Sequence, residues 1–374
     1  MGCRSGSEMS KKTDGTKSKR KWRWVLLALA IVLVLVLAVI LPGASILVYE
    51  DTFGKRYNTP GWMRYTLADF PGLRMKRCVF RSKEGKKLAG YQYSRENPNQ
   101  PGDKAEGLVV IAHGFGGGGQ NTYMDVANYF TAQGFLVFAY DATGNDESAG
   151  KSVRGLPQGV EDLDQALRFV EGEQSYKGLP LFLFGQSWGG YAVGAVLNLH
   201  PEVKAAVMVS GFNRSIDMMR QPGRKIAGPA VSLILPCLSL YEHVRFGKFA
   251  GYTALDGLKK SKAGIFITQS RDDQVVPVRY SYDLFHEEFQ SNPRFRFREY
   301  QDRGHAYVYY SQNSVRYRKQ FDQEYKEHMK LLGQKPSNES YNAYSAKHFD
   351  KSKGFEMDVP LMNQMADFYR QYMD

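Results

Sequence analysis

The chain has 374 residues, with 50 Lys and Arg against 38 Asp and Glu, a formal net charge of +12 and 43% hydrophobic residues. That composition excludes a disordered chain, and three cysteines with no Cys-x-x-Cys pair exclude a disulfide scaffold and a cysteine zinc site. The basic balance invites a nucleic-acid reading, so the position of the charge along the chain decides what it means.

Residues 1–24 hold eight bases and two acids, half of the whole excess. Directly behind them, 25–41 is an unbroken run of 17 apolar residues, interrupted at Pro42-Gly43-Ala44-Ser45 and resumed at Ile46-Leu47-Val48. A 17-residue helix rises about 26 Å, and a few flanking residues bring it to the ~30 Å hydrocarbon core. Trp22 and Trp24 stand where an interfacial aromatic belt would be. The pattern predicts a basic cytoplasmic tail (1–24) and an uncleaved transmembrane signal anchor (25–48), with the C-terminal bulk on the other side of the cell membrane. The alternative is a cleaved signal cut near Gly43-Ala44-Ser45, giving a secreted protein. Gly6 stands where a myristoylation signal wants Ser or Thr, so Met1-Gly2-Cys3 is given no role. Cys78 and Cys237 read as free thiols, with pairing the alternative in an exported domain.

Residues 49–75 read as a connector, with Pro60-Gly61 and Pro71-Gly72 as turns. Strands are expected at 77–82 and 87–94, around a Lys83-Glu84-Gly85-Lys86 turn. Further strands are expected at 108–112, 135–140, 181–184, 205–210, 264–268 and 295–300. Helices are expected at 123–132, 160–170, 191–199, 280–289 and 317–332. Strands alternating with helices imply an α/β fold, a mostly parallel sheet with helices on both faces. The rhythm breaks at 211–262, read as an inserted cap. Residues 333–374 are polar, then weakly helical, and read as a C-terminal extension.

After the strand at 108–112 comes His113-Gly114-Phe115-Gly116-Gly117-Gly118-Gly119. Gly114, Gly116 and Gly119 satisfy the dinucleotide fingerprint, with Asp141 near the distance of a ribose-binding acid. The rival reading is an oxyanion-hole loop of the His-Gly-x-Gly-Gly type, which would lend the Phe115 N–H.

Strand 181–184 runs straight into Gly185-Gln186-Ser187-Trp188-Gly189-Gly190, and a helix follows. In this G-x-S-x-G setting a sharp turn pushes the Ser187 hydroxyl out at the carboxyl end of the sheet, and glycines let strand and helix approach. Trp188 would then supply the second oxyanion N–H. A serine nucleophile needs a base and an orienting acid, in the chain order Ser, acid, His. Of seven histidines, His113, His200 and His243 come too early. His286 and His328 fall inside amphipathic helices, and His348 lies in the polar extension. His305 remains, in a loop after the last strand. The acid should follow the strand at 264–268, where Asp272 and Asp273 both stand in position. This reading accounts for Ser187, an Asp and His305, which the dinucleotide reading leaves unexplained.

With these motifs in hand, the chain resembles the α/β-hydrolase superfamily over about 76–332. The nearest likeness is to the branch of monoglyceride lipases, lysophospholipases and proline-iminopeptidase-like serine peptidases. His113-Gly114, the serine elbow, Asp273-Gln274-Val275-Val276-Pro277 and Gly304-His305 carry the resemblance. So does the loop 141–150, with Thr143, Asn145 and Asp146 at three of its usual positions. The resemblance selects Asp273 over Asp272 as the acid. It implies a serine hydrolase of carboxylic esters with Ser187, Asp273 and His305 as the catalytic triad and Phe115 and Trp188 as the oxyanion hole. It implies no cofactor and no metal. The expected substrate is a small acyl ester or lipid, acylglycerol or lysophospholipid-like. An acyl pocket lined by Ile226, Val231, Leu233, Ile234, Leu235 and Leu238 of the cap is one expectation; simple packing of those residues is the other. A serine peptidase, a non-catalytic binding protein and a nucleotide binder are the alternatives. No nucleic-acid partner is expected, because the remaining +6 is spread over about 350 residues.

Overall fold

The computed structural model describes residues 14–95 and 105–373, so most of the basic tail lies outside it, as do the side chains of 14–19 and of Ile226 in the expected cap. The N-terminal helix is longer than the apolar run. Helices α1 (Asp14–Leu35) and α2 (Leu41–Phe53) are joined by a π-helical stretch, Val36–Ile40, directly before Pro42. Proline lacks an N–H and its ring crowds the carbonyl four residues back. The wider π turn just upstream accommodates it, so Pro42-Gly43-Ala44-Ser45 does not end the helix. Arg20–Phe53 is long and apolar enough to cross a membrane, and its apolar window is unburied. Its last turns differ: Tyr49 and Phe53 are 1% and 5% exposed, packed into the body of the protein. The first five residues of the expected connector are therefore helix.

Eight strands form one sheet: β1 (Leu73–Arg81), β2 (Lys87–Arg95), β3 (Leu108–Ala112), β4 (Leu136–Tyr140), β5 (Leu181–Gln186), β6 (Ala205–Val209), β7 (Gly264–Ser270) and β8 (Phe295–Tyr300). Their order is β1-β2-β4-β3-β5-β6-β7-β8. β2 pairs antiparallel with β1 and β4, and every other pair is parallel. β1 begins four residues before its expected start. Residues 74–77 of this edge strand are all exposed, so no apolar alternation marks them, and their partners in β2 extend the ladder instead.

Helices follow the strands in chain order: α3 (Met124–Ala132), α4 (Pro157–Gly172), α5 (Trp188–Val196), α6 (Ser215–Ala227), α7 (Val231–Phe246), α8 (Ala254–Lys260) and α9 (Tyr282–Phe289). α10 (Gln312–Leu331), α11 (Asn338–His348), α12 (Lys351–Gly354) and α13 (Val359–Arg370) complete the fold. α10 starts five residues early because the Ser311 hydroxyl caps it, accepting from the Ser314 N–H at 3.2 Å.

The sheet is apolar on both faces, with the period of two that a strand imposes. In β3, Leu108, Val110 and Ala112 join one cluster while Val109 and Ile111 join the other. α4, α5, α8 and α9 cover the first face. On the second, α3 is joined by α13, whose Leu361, Met362, Met365, Ala366, Phe368 and Tyr369 are all buried. The stretch 333–374 thus ends as a structural layer of the core.

Among the described residues, none of the inserted segment after β6 lines the cavity at Ser187. α7 packs instead on α2, where Leu235, Leu238 and Phe246 join the cluster of Tyr49 and Phe53. Tyr49 donates to Glu242 Oε1 at 3.0 Å and Ser215 to the same atom at 2.6 Å, while Glu50 receives Tyr241 at 2.7 Å and pairs with Arg245. Burial pushes the Glu242 carboxyl up from 4.5 to about 7, against the two hydroxyl bonds. The folded state therefore holds a proton that the unfolded chain releases. The stability this contributes is complete below about pH 4.5 and is lost as pH rises through about 7. Glu242→Gln keeps the acceptor and removes the charge. It should stabilise the protein at pH 8 by roughly 1–3 kcal/mol and leave stability unchanged at pH 4. Thermal unfolding at both pH values checks this, and an equal effect at the two would contradict it.

Candidate active site

Ser187 sits between β5 and α5 with φ 55°, a region that non-glycine residues rarely occupy. Its neighbours explain why the turn closes so tightly. A Cβ on Gly189 would lie 1.9 Å from the Ala112 carbonyl oxygen, so only glycine lets α5 approach β3 here. The Ser187 N–H donates to the Val209 carbonyl at 2.8 Å, and the Ser187 carbonyl accepts from the Tyr191 N–H at 3.0 Å. The side chain is left at the carboxyl edge of the sheet, at the positive end of α5. The Trp188 N–H lies in that helix's first turn, where no intrahelical acceptor exists.

His305 arrives from the loop after β8. Its Nε2 lies 2.8 Å from Ser187 Oγ and its Nδ1 2.8 Å from Asp273 Oδ2. A serine hydroxyl donating to Nε2 leaves the proton on Nδ1, so Nδ1 donates to the carboxylate. The Asp273 side chain is fully buried and further saturated: Oδ1 accepts the Val275 and Val276 N–H groups, each at 2.9 Å, and Oδ2 accepts from Gln269 Nε2 at 3.1 Å. Asp272 faces elsewhere. Its Oδ1 accepts the Gly304 N–H at 2.8 Å and the Ser270 hydroxyl at 2.6 Å, which tethers the loop before His305. The structure therefore gathers Ser187, Asp273 and His305, and gives Asp272 a supporting place.

The glycine-rich loop lies beside them. The Gly114 N–H donates to the Tyr123 hydroxyl at 2.9 Å, and that hydroxyl donates to Gln186 Oε1 at 2.8 Å. Gln186 Nε2 in turn reaches the His305 carbonyl at 3.4 Å. Tyr123 and Gln186 thus link the glycine loop, the elbow and the histidine loop. Neither stood out in the sequence, since a tyrosine in a helix start and the variable residue of G-x-S-x-G carry no signal. Phe115 packs edge-on against Trp188 at 5.8 Å and against Phe53 of α2 at 5.5 Å.

Asp141, on which the dinucleotide reading depends, is fully buried. Its Oδ1 accepts the Gln120 N–H at 2.9 Å, and its Oδ2 accepts the Tyr91 hydroxyl at 3.1 Å and the Glu147 N–H at 3.2 Å. Burial raises its carboxyl to about 6. A ribose has no access to it, and its oxygens serve to pin the glycine loop. His113 is also internal, with Nε2 accepting the Ala142 N–H at 2.9 Å and burial holding its pKa down, so the ring is neutral scaffolding.

A cavity of about 230 Å³ opens at Ser187 and His305. Its described walls come from the connector (Trp62, Met63, Tyr65), from the glycine loop and from the region after His305 (Tyr307, Tyr310, Arg318, Phe355). The expected acyl pocket from the insertion is not there: among the described residues, none of Val231, Leu233, Ile234, Leu235 or Leu238 lines it. Val231, Leu235 and Leu238 are packed into the core, and Leu233 is 64% exposed. No group of three or more His, Cys, Asp or Glu suited to a metal occurs among the described residues, and Cys78 and Cys237 are free thiols.

The chain is similar to several known proteins. The family model described as serine aminopeptidase, S33 (Hydrolase_4) matches residues 103–249. The monoacylglycerol lipase of Mycolicibacterium smegmatis is 34% identical over 113 residues, which is 30% of this chain and 39% of that protein. The Homo sapiens monoglyceride lipase is 28% identical over 144 residues, 38% of this chain and 46% of that protein. The chain thus spans less than half the length of these relatives. Among solved structures, the Pyrococcus furiosus esterase Pf2001 superposes with a TM-score of 0.54 at 13% identity, covering 86% of this chain and 98% of that one.

Proposed function

We propose that the chain, which has the α/β-hydrolase fold, is a serine hydrolase of carboxylic esters acting through an acyl-enzyme. The observation that carries this reading is the relay from Ser187 through His305 to Asp273, two hydrogen bonds of 2.8 Å at the mouth of a cavity. Ser187 Oγ attacks the acyl carbonyl while His305 Nε2 takes its proton. Asp273 holds the tautomer and stabilises the imidazolium that forms. The N–H groups of Phe115 and Trp188 receive the oxyanion, a contribution of roughly 3–4 kcal/mol per donor. His305 then returns the proton to the leaving alcohol, and water repeats the sequence in reverse.

An ester is favoured over the N-terminus of a peptide by the charge of the cavity. An α-ammonium group needs an acidic partner, and no Asp or Glu is among the described residues that line it. Cleavage of aminoacyl nitroanilides but of no nitrophenyl ester would sink this choice.

The same proposal places the protein at a membrane, held by α1 and α2 with the basic tail in the cytoplasm. The helix continues unbroken through Gly43-Ala44-Ser45 into buried Tyr49 and Phe53, which supports an anchor over a cleaved signal. Acylglycerols and lysophospholipids are substrates that such a position would offer.

The two neighbouring aspartates should separate cleanly. Asp273→Asn misdirects the imidazole and should lower kcat by roughly 10⁴-fold. Asp272→Asn only loosens the Gly304 tether and should cost about 10²-fold or less. Steady-state kinetics on one ester orders the pair, and the reverse order would reassign the acid.

A further inference from the structure

The described lining of the cavity at Ser187 carries one permanent charge, and it is Arg318. Its guanidinium lies among four rings, with centroids at 5.1 Å for Trp62 and Phe349, 5.5 Å for Tyr341 and 5.6 Å for Tyr307. Such rings attract a cation through their faces but accept no directed pair of hydrogen bonds. The carboxylate facing it is Asp322, reached by Nε at 3.3 Å. That contact is long, and the same Asp322 oxygen already accepts the Tyr341 hydroxyl at 2.7 Å. Asp322 is also 43% exposed where Arg318 is 18%, so water screens the acid more than the base. Nη1 of Arg318 is buried with no hydrogen-bond partner among the described residues. A guanidinium carries five N–H donors in a planar fork suited to carboxylate or phosphate. Donors left unmade at a dry site are costly, and an anionic ligand removes that cost with two charge-assisted bonds.

We propose that the substrate carries an anionic group, a carboxylate or a phosphate, which Arg318 binds while the ester carbonyl lies at Ser187. The inference rests on the reading of Ser187 as nucleophile and narrows it: the fragment that enters the aromatic end of the cavity is acidic, not neutral. The connector and the region after His305 supply this recognition together, through Trp62 on one side and Arg318 on the other.

The test uses the full chain in detergent and two matched substrate pairs. One pair is 4-butyryloxybenzoate with its neutral amide, 4-butyryloxybenzamide. The other is glycerol monobutyrate with its phosphomonoester. Wild type should favour the anionic member of at least one pair by about tenfold or more in kcat/KM, mostly through KM, and the preference should shrink as salt is raised. The pair that shows it distinguishes carboxylate from phosphate. R318Q should bring the anionic-to-neutral ratio to about one, and R318K, which keeps charge but not the fork, should retain part of it. A wild type without anionic preference in either pair overturns the inference, as does an R318Q ratio equal to that of wild type. Fluorophosphonate labelling separates the two readings: a labelled enzyme without anionic preference loses only Arg318's role, whereas an unlabelled one loses the nucleophile as well.

Discussion

Ser187→Ala will abolish labelling by a fluorophosphonate and lower ester turnover by roughly 10⁴-fold or more, with the fold intact. The size follows from what is removed. Without the hydroxyl no acyl-enzyme forms, and only the oxyanion donors and binding remain to assist water. The fold should survive because alanine keeps a Cβ at a backbone already held at φ 55° by the Val209 and Tyr191 hydrogen bonds. Mass spectrometry of the labelled protein should place the adduct on Ser187. A variant that still reacts with the probe, or hydrolyses esters at the wild-type rate, would remove Ser187 from the chemistry.

Tyr369→Ala is expected to destabilise the fold severely, costing roughly 3–5 kcal/mol. Tyr369 is fully buried, stacks on Phe182 at 4.8 Å, packs against Phe130 at 5.5 Å, and donates its hydroxyl to the Leu183 carbonyl at 2.7 Å. Removing the ring leaves a cavity between α13 and the centre of the sheet. Tyr369→Phe keeps the ring, forfeits the hydroxyl bond and should cost only about 1 kcal/mol. Against a typical total of about 5–15 kcal/mol, the alanine variant should unfold at markedly lower urea, and truncation before Val359 should prevent folding. Midpoints of the two variants within experimental error of each other would mean that α13 is a dispensable cover.

That expectation also shows where reading from sequence ran short. Residues 108–112 and 205–209 are apolar at every position, which demands helices on both faces. The weak pattern of 359–370 hid the helix that supplies the second layer, since polar residues flank its apolar stripe. The serine elbow was legible because its pattern is local, strand, glycine, serine, glycine, helix, whereas His305 was reached only by elimination among seven histidines. Choosing between Asp272 and Asp273 took the resemblance, as adjacent side chains on a turn differ only in direction. The cavity walls were not legible. Trp62 stands more than 250 positions before Arg318 and Phe355, and aromatic packing between remote segments leaves no period in the chain. The insertion 211–262 reads as a cap because it interrupts the rhythm of strands. Its Val231, Leu235, Leu238 and Phe246 pack against α2 and the core instead.

The contact of Phe53 with Phe115 has a consequence for how such an enzyme meets its substrate. The apolar helix ends one ring away from the glycine-rich loop, with Glu50, Tyr241 and Arg245 bracing it from the side. With the helix in a bilayer as proposed, this would be a mount and not a leash: the mouth of the cavity would keep one height and one tilt above the lipid. Encounter then becomes a two-dimensional search. Rate should follow the number of ester molecules per unit area of membrane, and dilution of the surrounding solution should leave it unchanged.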